Sequence, residues 1–341
     1  MTERSAPRLD AAMRLAIEQS NQIKGTTYPN PPVGAVILDA GGEIVGVGGT
    51  EPAGSDHAEV LALRRAGDLA VGGTAVVTLE PCNHYGKTPP CVNALLSAKV
   101  ATVVYGVADP NPEAAGGADR LRAEGVRVES GVLADEVAGG PLREWLHKQR
   151  TGLPHVTWKY ASSVDGRSAA ADGTSQWISS EASRLDLHRR RAAADAIIVG
   201  TGTVLADDPT LTARLPDGSL AERQPLRVVV GMREIHSEAK VLNDDSRTMV
   251  IRTHDPTEVI RAVSDRTDIL LEGGPTLAGA FLRAGAVDRI LVYVAPMLLG
   301  GPGTAVDDVG VPTITRALRW QFDEIDRVGP DLVLSLVPRS G

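Results

Sequence analysis

Three soft metal donors and one carboxylate stand out from this chain. His57-Ala58-Glu59 comes first, and the stretch Thr78-Leu79-Glu80-Pro81-Cys82 through Cys91 follows with both cysteines of the protein. One imidazole and two thiolates leave a fourth tetrahedral position for water, the pattern of a catalytic rather than a structural zinc. Bound zinc lowers the pKa of that water toward neutrality. Displacing an amine from a ring carbon also needs a proton carrier, and Glu59 stands two residues past the imidazole. Plainer readings compete. The cysteines could form a disulfide, although the opening MTERSAPRLD has no apolar secretory segment. They could be unrelated buried thiols, or His84 could complete a four-donor structural site.

The elements around these residues must bring them together. Residues two apart on a helix point about 200° apart. His57 and Glu59 therefore share a site only if His57 sits in the first turn of the helix expected from Asp56 to Arg65, with Asp56 as N-cap. A strand from Thr74 to Leu79 delivers Cys82, and a helix from Cys91 to Ala98 places Cys91 at its start, where unpaired N–H groups favour the thiolate. The eight intervening residues form a loop whose His84, Lys87 and Thr88 can meet a polar or phosphorylated substrate. Upstream, a helix is expected over Leu9–Gln19 and a hairpin from Val33–Leu38 and Ile44–Val47, with Asn30 displayed by the proline-stiffened loop between them. Further on come a strand over 100–107, a helix end and strand within 121–128, and a long helix over 133–150.

The polar stretch from His147 to Pro154 reads as a linker between two domains, 1–147 and 154–341. The second half holds strands at 156–161, 196–200, 227–230, 248–251, 269–271, 289–295 and 332–337, with helices from about Ser180 to Arg191 and Thr276 to Arg283. Glu272-Gly273-Gly274 between strand and helix lets backbone approach a ligand, although it is no GxGxxG fingerprint. Arg189, Arg190, Arg191 and Arg214 offer cations for a phosphate, but a charge run of this kind is commonly a solvated helix face. Alternation of strands and helices makes both halves α/β.

Hydrophobic residues make up 43% of the chain but aromatics only 3%, so the cores must be built from Ala, Val, Leu and Ile. A net charge of −8 argues against a general nucleic-acid binder while permitting a small anionic substrate. No apolar run approaches membrane-spanning length. Two cysteines in 341 residues suit a reducing cytoplasm. A homo-oligomer, in its simplest form a dimer, is expected.

Together these segments resemble the bifunctional riboflavin-biosynthesis deaminase/reductases over nearly the whole chain. PNPPVGAVI, HAEV and LEPCNHYGKTPPC carry the resemblance in the first half, and SVDGR, SQWIS, residues 195–214 and LLEGGPTL in the second. The eight-residue gap between cysteines fits this branch better than the two-residue gap of cytidine and transfer-RNA deaminases. The resemblance implies a cytidine-deaminase-like three-layer α/β/α domain followed by a dihydrofolate-reductase-like α/β domain. It implies zinc on His57, Cys82 and Cys91, proton transfer by Glu59, and contacts from Asn30, His84 and Lys87 to a diamino-pyrimidinone ribosyl phosphate. In the second domain it implies NADPH at Ala161, Trp177, Thr203, Asp207 and the turn Gly274, Pro275, Thr276, Leu277, Ala278, Gly279 and Ala280. Ser175, Arg191, Leu211, Arg214 and Glu272 would meet the sugar phosphate and pyrimidine, and Lys159 the reacting sugar. Gly231-Met232 departs from the polar residues expected after its strand, so no cofactor contact is assigned there. Two other functions compete: a cytidine or nucleic-acid deaminase fused to an unrelated reductase, and a zinc-stabilised binding module with no catalytic role.

Overall fold

In a computed structural model, residues 6–339 are described, and the chain divides into two compact units, Met1–Gly152 and Leu153–Gly341. The first unit runs α1 (Ala6–Gln22), β1 (Gly34–Leu38), β2 (Ile44–Gly49), α2 (Ala58–Ala66), β3 (Thr74–Leu79), α3 (Cys91–Ser97), β4 (Thr102–Val107), α4 (Gly117–Ala123), β5 (Arg127–Ser130), α5 (Ala134–Gly139) and α6 (Arg143–Thr151). Its sheet has the order β2-β1-β3-β4-β5. The β1–β2 hairpin is antiparallel, and β1 pairs antiparallel with β3. Strands β3, β4 and β5 are parallel, so their C-terminal ends open on one edge.

Small residues let helices press on this sheet. A Cβ at Gly34 would lie 1.9 Å from Ala16 O of α1, and one at Gly48 would lie 2.6 Å from Ala58 O of α2. The core is the expected one of Ala, Val, Leu and Ile, with Met13 and Trp145 as its larger members. Helices α1 and α5 cover one face, and α2 with its neighbours α3 and α4 the other, giving three layers. The N-termini of α2 and α3 thereby meet near the end of β3.

Three local expectations change. His57, not Asp56, is the N-cap of α2, because the Asp56 carboxylate is taken by Arg64. The long helix expected over 133–150 breaks into α5 and α6 at Gly139-Gly140-Pro141, a sequence that cannot carry the helix ladder through. The stretch read as a linker from His147 is still helical to Thr151, where Gly152 closes α6 at φ 72°.

The second unit runs β6 (His155–Ser163), α7 (Glu181–Ala193), β7 (Ala196–Gly200), α8 (Thr201–Asp207), β8 (Leu226–Val230), β9 (Thr248–Ile251), α9 (Pro256–Ala262), β10 (Asp268–Leu271), α10 (Pro275–Arg283), β11 (Arg289–Ala295), β12 (Trp320–Val328) and β13 (Asp331–Pro338). Its eight strands lie in the order β12-β13-β11-β6-β10-β7-β8-β9. Parallel pairing extends from β11 to β9, and β13 and β12 add an antiparallel hairpin at one edge. Odd and even positions separate two cores. Val156, Trp158, Ile269 and Leu271 pack with Phe281 of α10 and Val259 of α9, whereas Ile197, Val199 and Leu270 pack with Leu187 of α7 and Val204 of α8.

The tight seat of α2 on β2 is testable. Gly48→Ala forces a methyl into the α2 backbone and is expected to lower stability by roughly 1–3 kcal/mol in guanidinium unfolding.

Candidate functional site

In the first unit, His57 enters from the N-cap of α2, Cys82 from the loop after β3, and Cys91 from the first position of α3. Their ligand atoms all lie within 4.8 Å of one another. His57 Nδ1 is 3.6 Å from Cys82 Sγ and 3.3 Å from Cys91 Sγ. Donors of a tetrahedral zinc with Zn–S near 2.3 Å and Zn–N near 2.0 Å stand roughly 3.5 Å apart, so the spacing suits one ion. His84 is not in this cluster, and both thiols are free, so neither the four-donor site nor the disulfide is formed.

The electrostatics depart from expectation in one respect. The Cys91 N–H at the start of α3 points at Cys82 Sγ, 3.4 Å away, rather than serving Cys91. Hydrogen bonding from Cys91, then from His57, draws the Cys82 thiol down to about 4. The Cys91 thiol is pushed up by its bond to Cys82, by burial and by the nearby Glu59 charge. His57 is raised chiefly by its bond to Cys82. Glu59 is 3% exposed, and burial lifts its carboxyl to about 7.

His57, Glu59 and Cys82 line a cavity of about 270 Å³. Asn30, His84 and Lys87 line it too, so every first-unit residue singled out from sequence lies at one place. Buried His84 Nδ1 has no hydrogen-bond partner. Asp109 and Asn111 also reach the cavity and went unread in the sequence. Their signal was position: they follow β4, beside the end of β3, and ligands gather at the C-terminal ends of parallel strands. Burial raises Asp109 to about 6. Glu80 is structural; its carboxylate accepts from Asp109 N and Ala118 N.

In the second unit, the residues of interest gather under α7, on the sheet face carrying Leu270. Arg191 grips Glu272 with two bonds of 2.7 Å and donates to Thr212 O at 3.2 Å. Burial pushes the Glu272 carboxyl up, but Arg191 outweighs it and holds it low. The arginine run is thus no solvated face throughout: Arg189 is exposed, whereas Arg190 bonds Asp186 and the Tyr293 hydroxyl. Lys159 faces the same group, and burial lowers its pKa. Leu211, at φ 52°, lies beside Thr212, and Arg214 donates to Gly218 O.

Thr203 and Gly274 meet: a Cβ on Gly274 would lie 3.4 Å from Thr203 Oγ1. A Cβ on Gly273 would run into Leu277 at 2.8 Å, which keeps this turn bare backbone that a dinucleotide can approach. Pro275 opens α10, and Thr276 donates to Asp307. Farther along, Ala278 is in the core, Gly279 abuts Asp308 O, and Ala280 is half-buried, so the open part of the segment is its first turn. Trp177 is exposed under the Arg184 guanidinium, 4.7 Å from its ring centre. Ser175 is partly exposed, Asp207 ends α8, and Ala161 packs beside Tyr293.

Sequence-family models match both halves. One described as the cytidine and deoxycytidylate deaminase zinc-binding region covers residues 7–107, and one described as the RibD C-terminal domain covers 154–334. The riboflavin biosynthesis protein RibD of Mycobacterium tuberculosis (strain ATCC 25618 / H37Rv) is 78% identical over 331 residues, 97% of this chain and 98% of that protein. The chain belongs to the RibD family. The RibD of Escherichia coli (strain K12) is 40% identical over 95% of this chain and 98% of its own. Among solved structures, Acinetobacter baumannii RibD matches with TM-score 0.86 at 37% identity, covering 98% of this chain and all of that one (100%). A diaminohydroxyphosphoribosylaminopyrimidine deaminase/5-amino-6-(5-phosphoribosylamino)uracil reductase from Thermotoga maritima matches with TM-score 0.89 at 30% identity, again over 98% and 100%. The fold is therefore a cytidine-deaminase-like domain followed by a RibD reductase domain, both mixed α/β, as the motifs imply.

The Arg191–Glu272 pair gives a stability prediction. The Arg191 and Glu272 side chains are only 13% and 10% exposed, so Arg191→Met strands a buried charge and is expected to cost about 3–5 kcal/mol at neutral pH. The folded Glu272 value is depressed, so its contribution is present above the ordinary glutamate range and lost as pH falls through the folded value. Urea unfolding should show the gap between native and variant chains narrowing on acidification.

Proposed function

We propose that the chain carries out two consecutive steps of riboflavin biosynthesis at two sites. The first is hydrolytic deamination of 2,5-diamino-6-(5-phosphoribosylamino)pyrimidin-4(3H)-one. The second is NADPH-dependent reduction of the ribosyl group of 5-amino-6-(5-phosphoribosylamino)uracil to ribityl. The observation that carries this reading is the cluster of one imidazole nitrogen and two sulfurs, with His57, Cys82 and buried Glu59 lining one cavity.

His57, Cys82 and Cys91 are the residues that would hold zinc. In a three-donor site this ion supplies a water of lowered pKa as the nucleophile. Overall, water adds at the ring carbon, the carbon–amine bond breaks, and ammonia leaves. Glu59 takes a proton from the attacking water and gives it to the ring nitrogen, then takes the remaining hydroxyl proton and gives it to the departing amine. His84, with its unpartnered buried nitrogen, and Asn30 orient the pyrimidine, and exposed Lys87 meets the phosphate.

In the reductase, NADPH supplies hydride. Thr203 and the first turn of α10 seat the dinucleotide, with Ala161, Trp177 and Asp207 along it. Reduction forms a C1–H bond, breaks the bond from C1 to the ring oxygen and leaves that oxygen to take a proton. Lys159 contacts this reacting sugar, held near Glu272, while Ser175, Leu211 and Arg214 hold the remaining substrate. This is chiefly a positioning task. Two free thiols suit a reducing compartment, which supports a cytoplasmic location; no helix among the described residues is long and apolar enough to cross a membrane.

The chain is further proposed to form a homodimer through β12. This edge strand exposes Phe322 and Ile325, an arrangement that invites pairing with another copy. Phe322→Asp should shift the light-scattering mass from dimer to monomer; an unchanged mass rejects this surface.

The deciding experiment supplies the diamino-pyrimidinone phosphate with NADPH while following ammonia, absorbance and bound metal. Glu59→Gln is expected to lose deamination by about 10²–10⁴-fold with zinc content unchanged. The same variant given deaminated substrate should still oxidise NADPH. Retained deamination would reject the proton-transfer role.

A further inference from the structure

Lys159 is a half-buried lysine with no hydrogen-bond partner among the described residues, and the geometry of its neighbours explains how it is held. Cross-strand register puts Lys159 of β6 opposite Leu291 of β11, and Ala161 opposite Tyr293. Tyr293 is therefore the same-face diagonal neighbour of Lys159, within reach of a long side chain. Its ring lies under the ammonium, with Lys159 Nζ 5.5 Å from the ring centre, inside the range of cation–π attraction. On the other flank, Glu272 follows Leu271, which pairs with Trp158.

The ring is itself clamped. Tyr293 is 1% exposed, and its hydroxyl donates to Asp186 Oδ2 at 2.6 Å. Arg190 Nε donates to the same carboxylate oxygen at 2.8 Å and to the tyrosine oxygen at 3.1 Å. Asp186 and Arg190 lie one turn apart on α7, and the next residue, Arg191, grips Glu272. One helix face thus fixes both groups that flank the lysine.

We propose that Tyr293 is a positioning residue for the reductase step: its ring face, locked by Asp186 and Arg190, sets the height and direction of Lys159 toward the reacting sugar. The inference rests on the reading of Lys159 as a sugar contact. It assigns Tyr293 no contact with substrate or cofactor. The ring holds the ammonium without consuming its N–H donors, which hydrogen-bond partners would occupy. All three donors thus stay available to the substrate.

The test uses the full chain, deaminated substrate and NADPH. Tyr293→Leu removes the ring and is expected to lower the reductase kcat by about 10–100-fold, the scale of a misplacement of ångström size, with KM for both substrates within about twofold. Tyr293→Phe keeps the ring face but loses the lock, so its kcat should fall by clearly less than that of Tyr293→Leu. A Tyr293→Leu variant that still binds NADPH and turns over within about twofold of the native rate overturns the proposal. Should that variant fail to fold, lysine-labelled native protein decides. The chain has six lysines, and the side-chain methylene protons of Lys159 should be shifted upfield by the ring and stay so in Tyr293→Phe. Unshifted resonances overturn it. Lys159→Met separates the two claims. If that variant reduces substrate at the native rate, the reading of Lys159 fails. If it is impaired while folded Tyr293→Leu is not, only the role of Tyr293 fails.

Discussion

The first site depends on where one backbone N–H points. At the start of α3 the Cys91 amide is directed at Cys82 Sγ, so the unpaired donor of a helix terminus serves a sulfur from another segment. Together with the Cys91 side chain and His57, which contribute more, that bond stabilises negative charge on Cys82. His57 completes the cluster because α2 presses on a sheet surface of glycines, and Gly48 admits the α2 backbone where a side chain would exclude it. Close packing of a small-residue helix on a small-residue strand is thus what brings an imidazole from one helix and sulfurs from a loop and another helix within a few ångströms.

The second site rests on a different constraint. Helix α7 is joined to the sheet mainly by polar contacts. Ser180 N and the Ser183 hydroxyl donate to Asp331, Asp186 and Arg190 engage Tyr293, and Arg191 engages Glu272. Leu187 is the one buried large aliphatic side chain of this helix. Such pairs add little net stability over apolar packing, but each is costly to break singly, and each fixes direction as well as distance. A helix secured in this way has one rotational setting.

Much of this was legible in the sequence, and the reasons differ by residue. Strands β3, β7 and β11 announce themselves by runs of β-branched and apolar residues, the mark of strands covered on both faces. The His-x-Glu and Pro-Cys pieces fix three donors and a carboxylate because few other chemistries need those types together. The hairpin strand β12 was not legible: Trp320–Val328 alternates no apolar face and is exposed along most of its length. Helices α8 and α9 were hidden because seven residues are too few to express a helical period, although Asp255-Pro256 at the start of α9 is a cap signal. The partners of Arg190 and Arg191 were not legible: charge alone does not say which arginine of a run meets a carboxylate on its own helix and which meets one beyond a distant strand.

The two sites also handle hydrogen-bonding capacity in opposite ways. In the first, His57 and the two sulfurs have few partners but one another, Glu59 is buried close to them, and His84 Nδ1 has none. Buried polar groups left in this state are expensive unless something else satisfies them. A cation on the sulfurs and a polar ring against His84 would remove both costs. In the second, Arg191 spends its donors on Glu272 and Thr212, and Tyr293 is saturated by Asp186 and Arg190. Lys159 alone among these buried charges keeps its donors unspent. A rigid, internally satisfied frame around a single cation with unspent donors is what a positioning task asks of a fold.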